Sequence, residues 1–255
     1  YETVEDEKGA LPLLTPMSEV AGRMSVQSGA KCLEGTFGGK GLLLSGVPGV
    51  EPATVTIIGA GAVGLNAAKV ASGLGAKVNI LDIDVERLRF IDNIMPSNVI
   101  TYHSNSHTIK NLLPQTDLLI GAVLVPGEKA PKIIKKDMLL LMKKGSVIVD
   151  VAVDQGGCIE TTKPTTHKDP IYDIDGIIHY CVANMPGSVP KTSTVSLTNA
   201  TSSYILKLLK DKTISFNKLP DSIKKGVNVY KGDITHKGLA ESLNMPYKSL
   251  DNCLN

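Results

Sequence analysis

Val55-Thr-Ile-Ile-Gly59-Ala-Gly61-Ala-Val-Gly64, followed by Lys77-Val-Asn-Ile-Leu-Asp82, decides the fold of this chain. Four apolar or β-branched residues make a buried strand. Three glycines at the G-x-G-x-x-G spacing then turn the chain into a helix that runs to about Leu74. A second short strand ends on an acid. Gly59 permits the tight turn, Gly61 lets the backbone approach a pyrophosphate, and Gly64 lets helix and strand pack closely. The helix N-terminus offers free N–H groups and a positive dipole end to phosphates. Asp82 lies where a carboxylate can accept hydrogen bonds from an adenosine ribose diol. A carboxylate there repels a 2′-phosphate, so the pattern favours NAD over NADP. Arg87, five residues on, is the one nearby group that could instead serve a phosphate, or it is an ordinary surface arginine of the next helix.

The flanking sequence repeats this alternation. A helical stretch from Thr15 to about Glu34 starts with Thr15 as cap and Pro16 at the first helical position. Its small residues (Ala21, Gly22, Ser25, Ser28, Gly29) predict an element packed very closely against it. Beyond Asp82 come a helix from Val85, a strand Asn98–Tyr102, a polar stretch His103–His107 and another helical segment. Strands follow at Asp117–Val123, Ser146–Val153 and Ile177–Val182, with a helix at Lys135–Met142. Strands that are continuously apolar and alternate with helices make a parallel sheet covered on both faces. About six strands form one doubly wound α/β domain of the Rossmann type. After Pro190 an amphipathic helix (Thr198–Lys210) and a polar, lysine-rich tail from Phe216 are expected to pack on a second domain. The expected division is 1–14 as linker and domain remnant, 15–190 as the dinucleotide domain, and 191–255 as the returning segment.

Bulk properties narrow the function. The 255 residues are 42% hydrophobic and 20% charged with a net charge of +2, which gives no electrostatic reason for nucleic acid or a membrane surface. Only 4% are aromatic and none is tryptophan, which argues against base-stacking surfaces. The four cysteines, Cys32, Cys158, Cys181 and Cys253, form no C-x-x-C pair and read as reduced thiols of a cytoplasmic protein. No apolar run long enough to span a membrane and no signal peptide is visible. The chain starts at Tyr1, which suggests a piece of something longer.

In doubly wound sheets ligands lie beyond the carboxyl ends of the strands. Three such ends stand out: Gly121–Gly127, Val151–Gly157 and Cys181–Gly187, each with glycine or proline straight after an apolar strand. Asp154 is the ionisable side chain this geometry puts near a nicotinamide; it could equally be a strand-end acid capping the Gly156-Gly157 turn. His103 and His107 lack a third ligand, so no metal site is expected. His167 falls in a surface turn, and His179 reads as a core or edge histidine.

Leu14-Thr-Pro-Met-Ser-Glu-Val-Ala-Gly-Arg23, Val123-Leu-Val-Pro-Gly-Glu-Lys-Ala-Pro-Lys132, Asp154-Gln-Gly-Gly-Cys158, Lys163-Pro-Thr-Thr166 and Val182-Ala-Asn-Met-Pro-Gly-Ser-Val-Pro-Lys-Thr-Ser-Thr194 resemble alanine dehydrogenase over essentially the entire chain. The α subunit of proton-translocating transhydrogenase is a relative of that family, but carries a glutamate where this chain has Asp154. The resemblance implies reversible oxidative deamination of L-alanine to pyruvate and ammonia with NAD as cofactor, in a homo-oligomer, a hexamer in the family. It implies Asp154 as the catalytic residue, near the substrate amine and the attacking water. For the cofactor it implies Ser18, the turn Gly59, Gly61, Ala62, Val63 and Gly64, Asp82 and Arg87 at the ribose, and Ser104 near the adenine. Val123, Leu124, Val151, Ala152, Val153, Asp154, Lys163, Val182, Ala183, Asn184 and Met185 line the groove. The family's substrate domain supplies the arginine and lysine that grip the substrate carboxylate and an acid/base histidine, and these have no counterpart here. The expectation is therefore the C-terminal part of an alanine dehydrogenase. The alternatives are a module that only binds NAD, or a transhydrogenase-like subunit.

Overall fold

A computed structural model describes residues 1–123, 130–209 and 219–254. The chain divides into two compact units, one of residues 19–188 and one of residues 1–18 with 189–255.

The larger unit is built on a seven-stranded sheet. Its strands are β1 (Thr54–Ile58), β2 (Lys77–Asp82), β3 (Val99–His103), β4 (Leu118–Gly121), β5 (Val147–Asp150), β6 (Ile171–Ile174) and β7 (Ile177–Tyr180). Their order is β3-β2-β1-β4-β5-β7-β6, and every pairing is parallel except β6 with β7. Helices α2 (Ala62–Gly73) and α3 (Val85–Ile94) carry the chain outward from β1 to β3. After α4 (Ser106–Leu112) it returns to the opposite side of β1, so the order reverses between β1 and β4. That reversal opens a crevice at the strands' carboxyl ends.

Strands β1, β4, β5 and β7 are buried on both faces, which explains why Val, Ile and Leu dominate them. One layer of the core joins Ile58, Leu81, Leu119 and Ile148 to Ile109, Leu112, Met138 and Ile159. Helix α1 (Thr15–Cys32) makes the close approach expected of its small residues. A Cβ on Gly22 would lie 2.2 Å from the Val63 carbonyl oxygen, and one on Gly29 would lie 2.5 Å from Leu118 Cδ1. The sheet also carries a buried polar seam. The Thr56 and Thr116 hydroxyls bond each other at 2.7 Å, and Ser146 Oγ donates to the Thr116 carbonyl at 3.1 Å.

Three expectations need correction. The stretch 146–153 is strand only as far as Asp150. The Asp150 side chain accepts the Ala152 N–H and closes Val151–Gln155 into a 3-10 turn. Residues 136–141 form a 3-10 segment and not an α-helix. The sheet also has a seventh strand, β6, running antiparallel. Its signal was Asp175-Gly176: both residues have positive φ (56° and 84°), the two-residue turn that joins a tight hairpin.

The smaller unit contains α5 (Pro190–Leu209), longer at its start than the sequence predicts, then α6 (Asp221–Lys224), a hairpin of β8 (Val229–Tyr230) and β9 (Asp233–Ile234), α7 (Lys237–Leu243) and α8 (Leu250–Leu254). Val4, Leu13, Ile223, Ile234 and Ala240 are its buried apolar residues. Lys210 and Phe216, expected in this stretch, lie outside the described residues.

Candidate functional site

The three glycines of the turn after β1 have different surroundings. Gly59 has φ 100°, and a Cβ there would meet the Ala122 carbonyl oxygen at 2.7 Å. On Gly64 a Cβ would come within 1.8 Å of the Gly59 carbonyl oxygen. Gly61 differs: a Cβ on it would meet nothing within 4 Å. Protein packing therefore leaves room for a side chain at Gly61, and a ligand lying against the backbone is the remaining reason to keep it bare. Gly61 is also the N-cap of α2, and no side chain caps that helix. Its first-turn N–H groups have no intrahelical acceptor and, with Ala62 and Val63 in that turn, can face an anion.

Asp82 closes the other wall. Its carboxylate accepts the Ala60 N–H at 2.7 Å through Oδ2 and the Asp84 N–H at 3.0 Å through Oδ1. The acid thus points at the glycine turn and stays half-buried, with lone pairs left for further donors. Arg87, on α3, donates from Nε to the Ala60 carbonyl at 2.6 Å and lies over the Phe90 ring. The same turn is therefore held through Ala60 by an acid and a base together. Ser104 follows β3 and donates its N–H to the Asp82 carbonyl at 2.8 Å. These residues fit a dinucleotide: a bare glycine, an uncapped helix start, and an acid at the next strand end.

At the carboxyl ends of β4, β5 and β7 a second group gathers. Val123 is half-buried, and its Cγ2 lies 3.0 Å from where a Cβ on Gly59 would stand. Leu124 lies outside the described residues. Val151, Ala152 and Val153 form the 3-10 turn that presents Asp154 to solvent. Asp154 Oδ2 accepts the Asn184 N–H at 3.2 Å, which joins the β5 end to the segment after β7. Val182 and Met185 are buried, Ala183 is half-buried, and Asn184 is exposed in the left-handed region at φ 53°. Lys163 donates its N–H to Tyr172 Oη at 2.9 Å and holds its ammonium over that ring, 4.8 Å from the centroid. Ser18 falls in the smaller unit, within α1.

The sequence reading left two residues aside. Asp150, not Asp154, is the acid that organises the glycine turn after β5. Fully buried, it accepts Ala152 N–H at 3.1 Å, Ile159 N–H at 3.2 Å and the Thr162 hydroxyl at 2.7 Å, with the Cys158 thiol at 3.7 Å. Burial pushes its carboxyl above the usual range against the pull of those donors, and pushes the Cys158 thiol up as well. A Cβ on Gly157 would lie 2.6 Å from Asp150 Oδ2, so that glycine makes room for the acid. The signal available was a lone acid ending an apolar strand ahead of Gly156-Gly157. The second residue the sequence reading left aside is His167, on an exposed turn with Nε2 3.1 Å from the Asn184 carbonyl oxygen.

The remaining histidines serve the protein. His179 is buried in β7, bonded to the Thr161 hydroxyl at 2.8 Å and stacked on Tyr172, and burial lowers its pKa. His103 ends β3, and His107 bonds Asn111 one turn along α4. Among the described residues, no group of three or more His, Cys, Asp or Glu side chains could hold a metal ion.

Residues 25–237 match the family described as alanine dehydrogenase/PNT, C-terminal domain. The chain belongs to this family. Among curated members, it is 52% identical over its full length to alanine dehydrogenase 2 of Staphylococcus aureus, covering 68% of that protein. It is 51% identical to alanine dehydrogenase of Halomonas elongata, over 97% of this chain and 67% of that protein. A solved L-alanine dehydrogenase superposes with a TM-score of 0.91 at 50% identity, over 96% of this chain and 67% of that one. A transhydrogenase from Sinorhizobium meliloti, 20% identical with a TM-score of 0.66, shares the fold over 79% of this chain and 60% of its own. Among the described residues, no helix is long and apolar enough to cross a membrane.

Proposed function

We propose that this protein carries out NAD-dependent oxidative deamination of L-alanine: alanine, NAD⁺ and water give pyruvate, ammonium, NADH and a proton. One observation carries the reading. Asp154 stands exposed at the end of β5 in a chain about half identical to alanine dehydrogenases along its length.

The cofactor is held by the turn Gly59–Gly64, by Asp82 and Arg87 at the adenosine ribose and by Ser104 near the adenine. Val123, Val151–Asp154, Lys163 and Val182–Met185 line its groove. Held there, NAD⁺ would supply the acceptor for the hydride that leaves the alanine Cα. Every other task falls to the protein. Asp154 Oδ2 is tied to Asn184, while Oδ1 is bonded to no described residue and can take a proton from the substrate amine. After hydride loss, and once Asp154 has released the amine proton to solvent, the iminium carbon needs water, and the freed carboxylate orients that water and takes its proton as the C–O bond forms. That proton passes on to nitrogen, ammonia leaves, and the hydroxyl gives its own proton back to the carboxylate as the carbonyl of pyruvate forms. The buried β4–β5–β7 strand ends give this site a dry floor, against which the hydride donor and acceptor carbons must sit about 3–3.5 Å apart. The family resemblance carries a hexamer and a cytoplasmic location with it.

NADH formation from L-alanine, followed by absorbance, tests the reading. The wild-type protein should turn over, and Asp154→Asn should lower kcat at least about 100-fold while still binding NADH. Tight NADH binding with no turnover by the wild-type protein would leave a dinucleotide-binding module instead of an enzyme.

A further inference from the structure

His167 has no part in the roles above, yet both of its ring nitrogens have a partner. Nε2 lies 3.1 Å from the Asn184 carbonyl oxygen, and Nδ1 lies 2.9 Å from Ser188 Oγ. A carbonyl only accepts, so Nε2 carries a proton; in the neutral ring Nδ1 then accepts from the Ser188 hydroxyl. The turn that bears His167 is tied to the same segment. Thr165 donates its N–H to the Cys181 carbonyl at 2.9 Å and accepts from Ala183 N–H at 3.1 Å. His167 is nonetheless exposed, so the contact adds little buried apolar area.

We propose that His167 is a positioning residue for Asp154, acting through the backbone of Asn184. The inference rests on the alanine dehydrogenase reading of the Asp154 site. Asn184 is gripped at both ends: its N–H by Asp154 Oδ2, and its carbonyl by His167 Nε2 and by Gly187 N–H at 2.9 Å. Between those two grips lies the φ of 53°, in the left-handed region that asparagine enters more readily than most residues. Losing His167 leaves the carbonyl to Gly187 N–H alone, so the Asn184 peptide can tilt and carry its N–H away from the carboxylate. The Asn184 N–H is the one hydrogen bond the described residues make to the Asp154 carboxylate, so its loss frees that group to rotate. A glutamine at 167 places an amide nitrogen near the position of Nε2 and should restore the grip.

Two measurements on the full chain test this. In the first, amide hydrogen exchange is followed by NMR. Asn184 should exchange about tenfold faster in His167→Ala and in Asp154→Ala, and near the wild-type rate in His167→Gln, with β4 and β5 amides unchanged. In the second, kcat for L-alanine should fall about tenfold in His167→Ala and recover in His167→Gln. Added to Asp154→Asn, His167→Ala should cost almost nothing more, because both act on one carboxylate. An unchanged Asn184 amide in His167→Ala, or losses that multiply in the double variant, would overturn the proposal. A wild-type chain that makes no NADH would instead overturn the enzyme reading, and the exchange measurement would still decide the role of His167.

Discussion

Two strand ends in this sheet each place an aspartate against a glycine turn, and they use it in opposite ways. At the β2 end, Asp82 is half-buried and accepts two N–H groups, from Ala60 and Asp84. At the β5 end, Asp150 is fully buried and accepts two N–H groups, a hydroxyl and a thiol. The first acid keeps capacity for a ligand, whereas the second is saturated by protein. The glycines divide in the same way. Gly64 and Gly157 give way to protein atoms, while Cβ atoms on Gly61 and Gly156 would meet none. Residue type and position at a strand end are thus shared by an acid with capacity to spare and one the fold has saturated; burial and the number of donors already satisfied tell them apart.

The largest test of this contrast is to remove each acid. Asp150→Ala leaves the Ala152 and Ile159 N–H groups buried without an acceptor, and should cost about 4 kcal/mol of stability in urea unfolding. Asp82→Ala, at a wetter site, should cost about 1 kcal/mol. Equal losses would break the distinction. The glycines come next. Gly64→Ala drives a methyl into the Gly59 carbonyl and should destabilise by about 3 kcal/mol. Gly61→Ala should leave the unfolding midpoint nearly unchanged and weaken NADH binding about tenfold or more. A fully stable Gly61→Ala variant with undiminished NADH affinity would mean that the open space serves no ligand. In the same titration Asp82→Ala should lose about tenfold in affinity, close to 1.4 kcal/mol, and Asp150→Asn much less once its stability is allowed for.

The smallest expected effect is a pH dependence. Burial raises the Asp150 carboxyl above its ordinary value of 3.8. Between that value and the raised one, the folded protein holds a proton that the unfolded chain has released. This contribution therefore grows as pH falls through the window and is lost as pH rises through the folded pKa. Wild-type protein should gain on Asp150→Asn, which cannot titrate, as unfolding is measured from pH 7 towards pH 4. A flat difference would place the Asp150 carboxyl in its ordinary range.

The doubly wound core was legible because its signal is local and redundant. Val55–Gly64 and Lys77–Asp82 combine apolar strands, glycine spacing and a terminal acid, and each constrains the others. Asp82 and Arg87 could be named for the same reason, although nothing in the sequence foretold that both would grip Ala60. The turn after β5 was harder. Val151–Val153 continues an apolar β-branched run and reads as strand. What stops the strand is the Asp150 carboxylate folding back onto Ala152 N–H, a tertiary hydrogen bond that periodicity does not contain. Strand β6 was missed although Asp175-Gly176 signals a hairpin, because Ile171-Tyr-Asp-Ile174 is short and half polar. His167 read as a surface turn and is exposed, but its value comes from a partner 17 residues away whose conformation no local rule predicts.

The hydroxyl seam between Thr56, Thr116 and Ser146 bears on how the nascent chain finds its pairing. Neighbouring strands so rich in valine, leucine and isoleucine could slide past one another with little change in greasy contact. A slide by two residues keeps every side chain on its face but strands those hydroxyls among hydrocarbon. The three small polar groups act as notches that make one alignment count, and discourage mispaired sheets at a cost far below that of a buried charge.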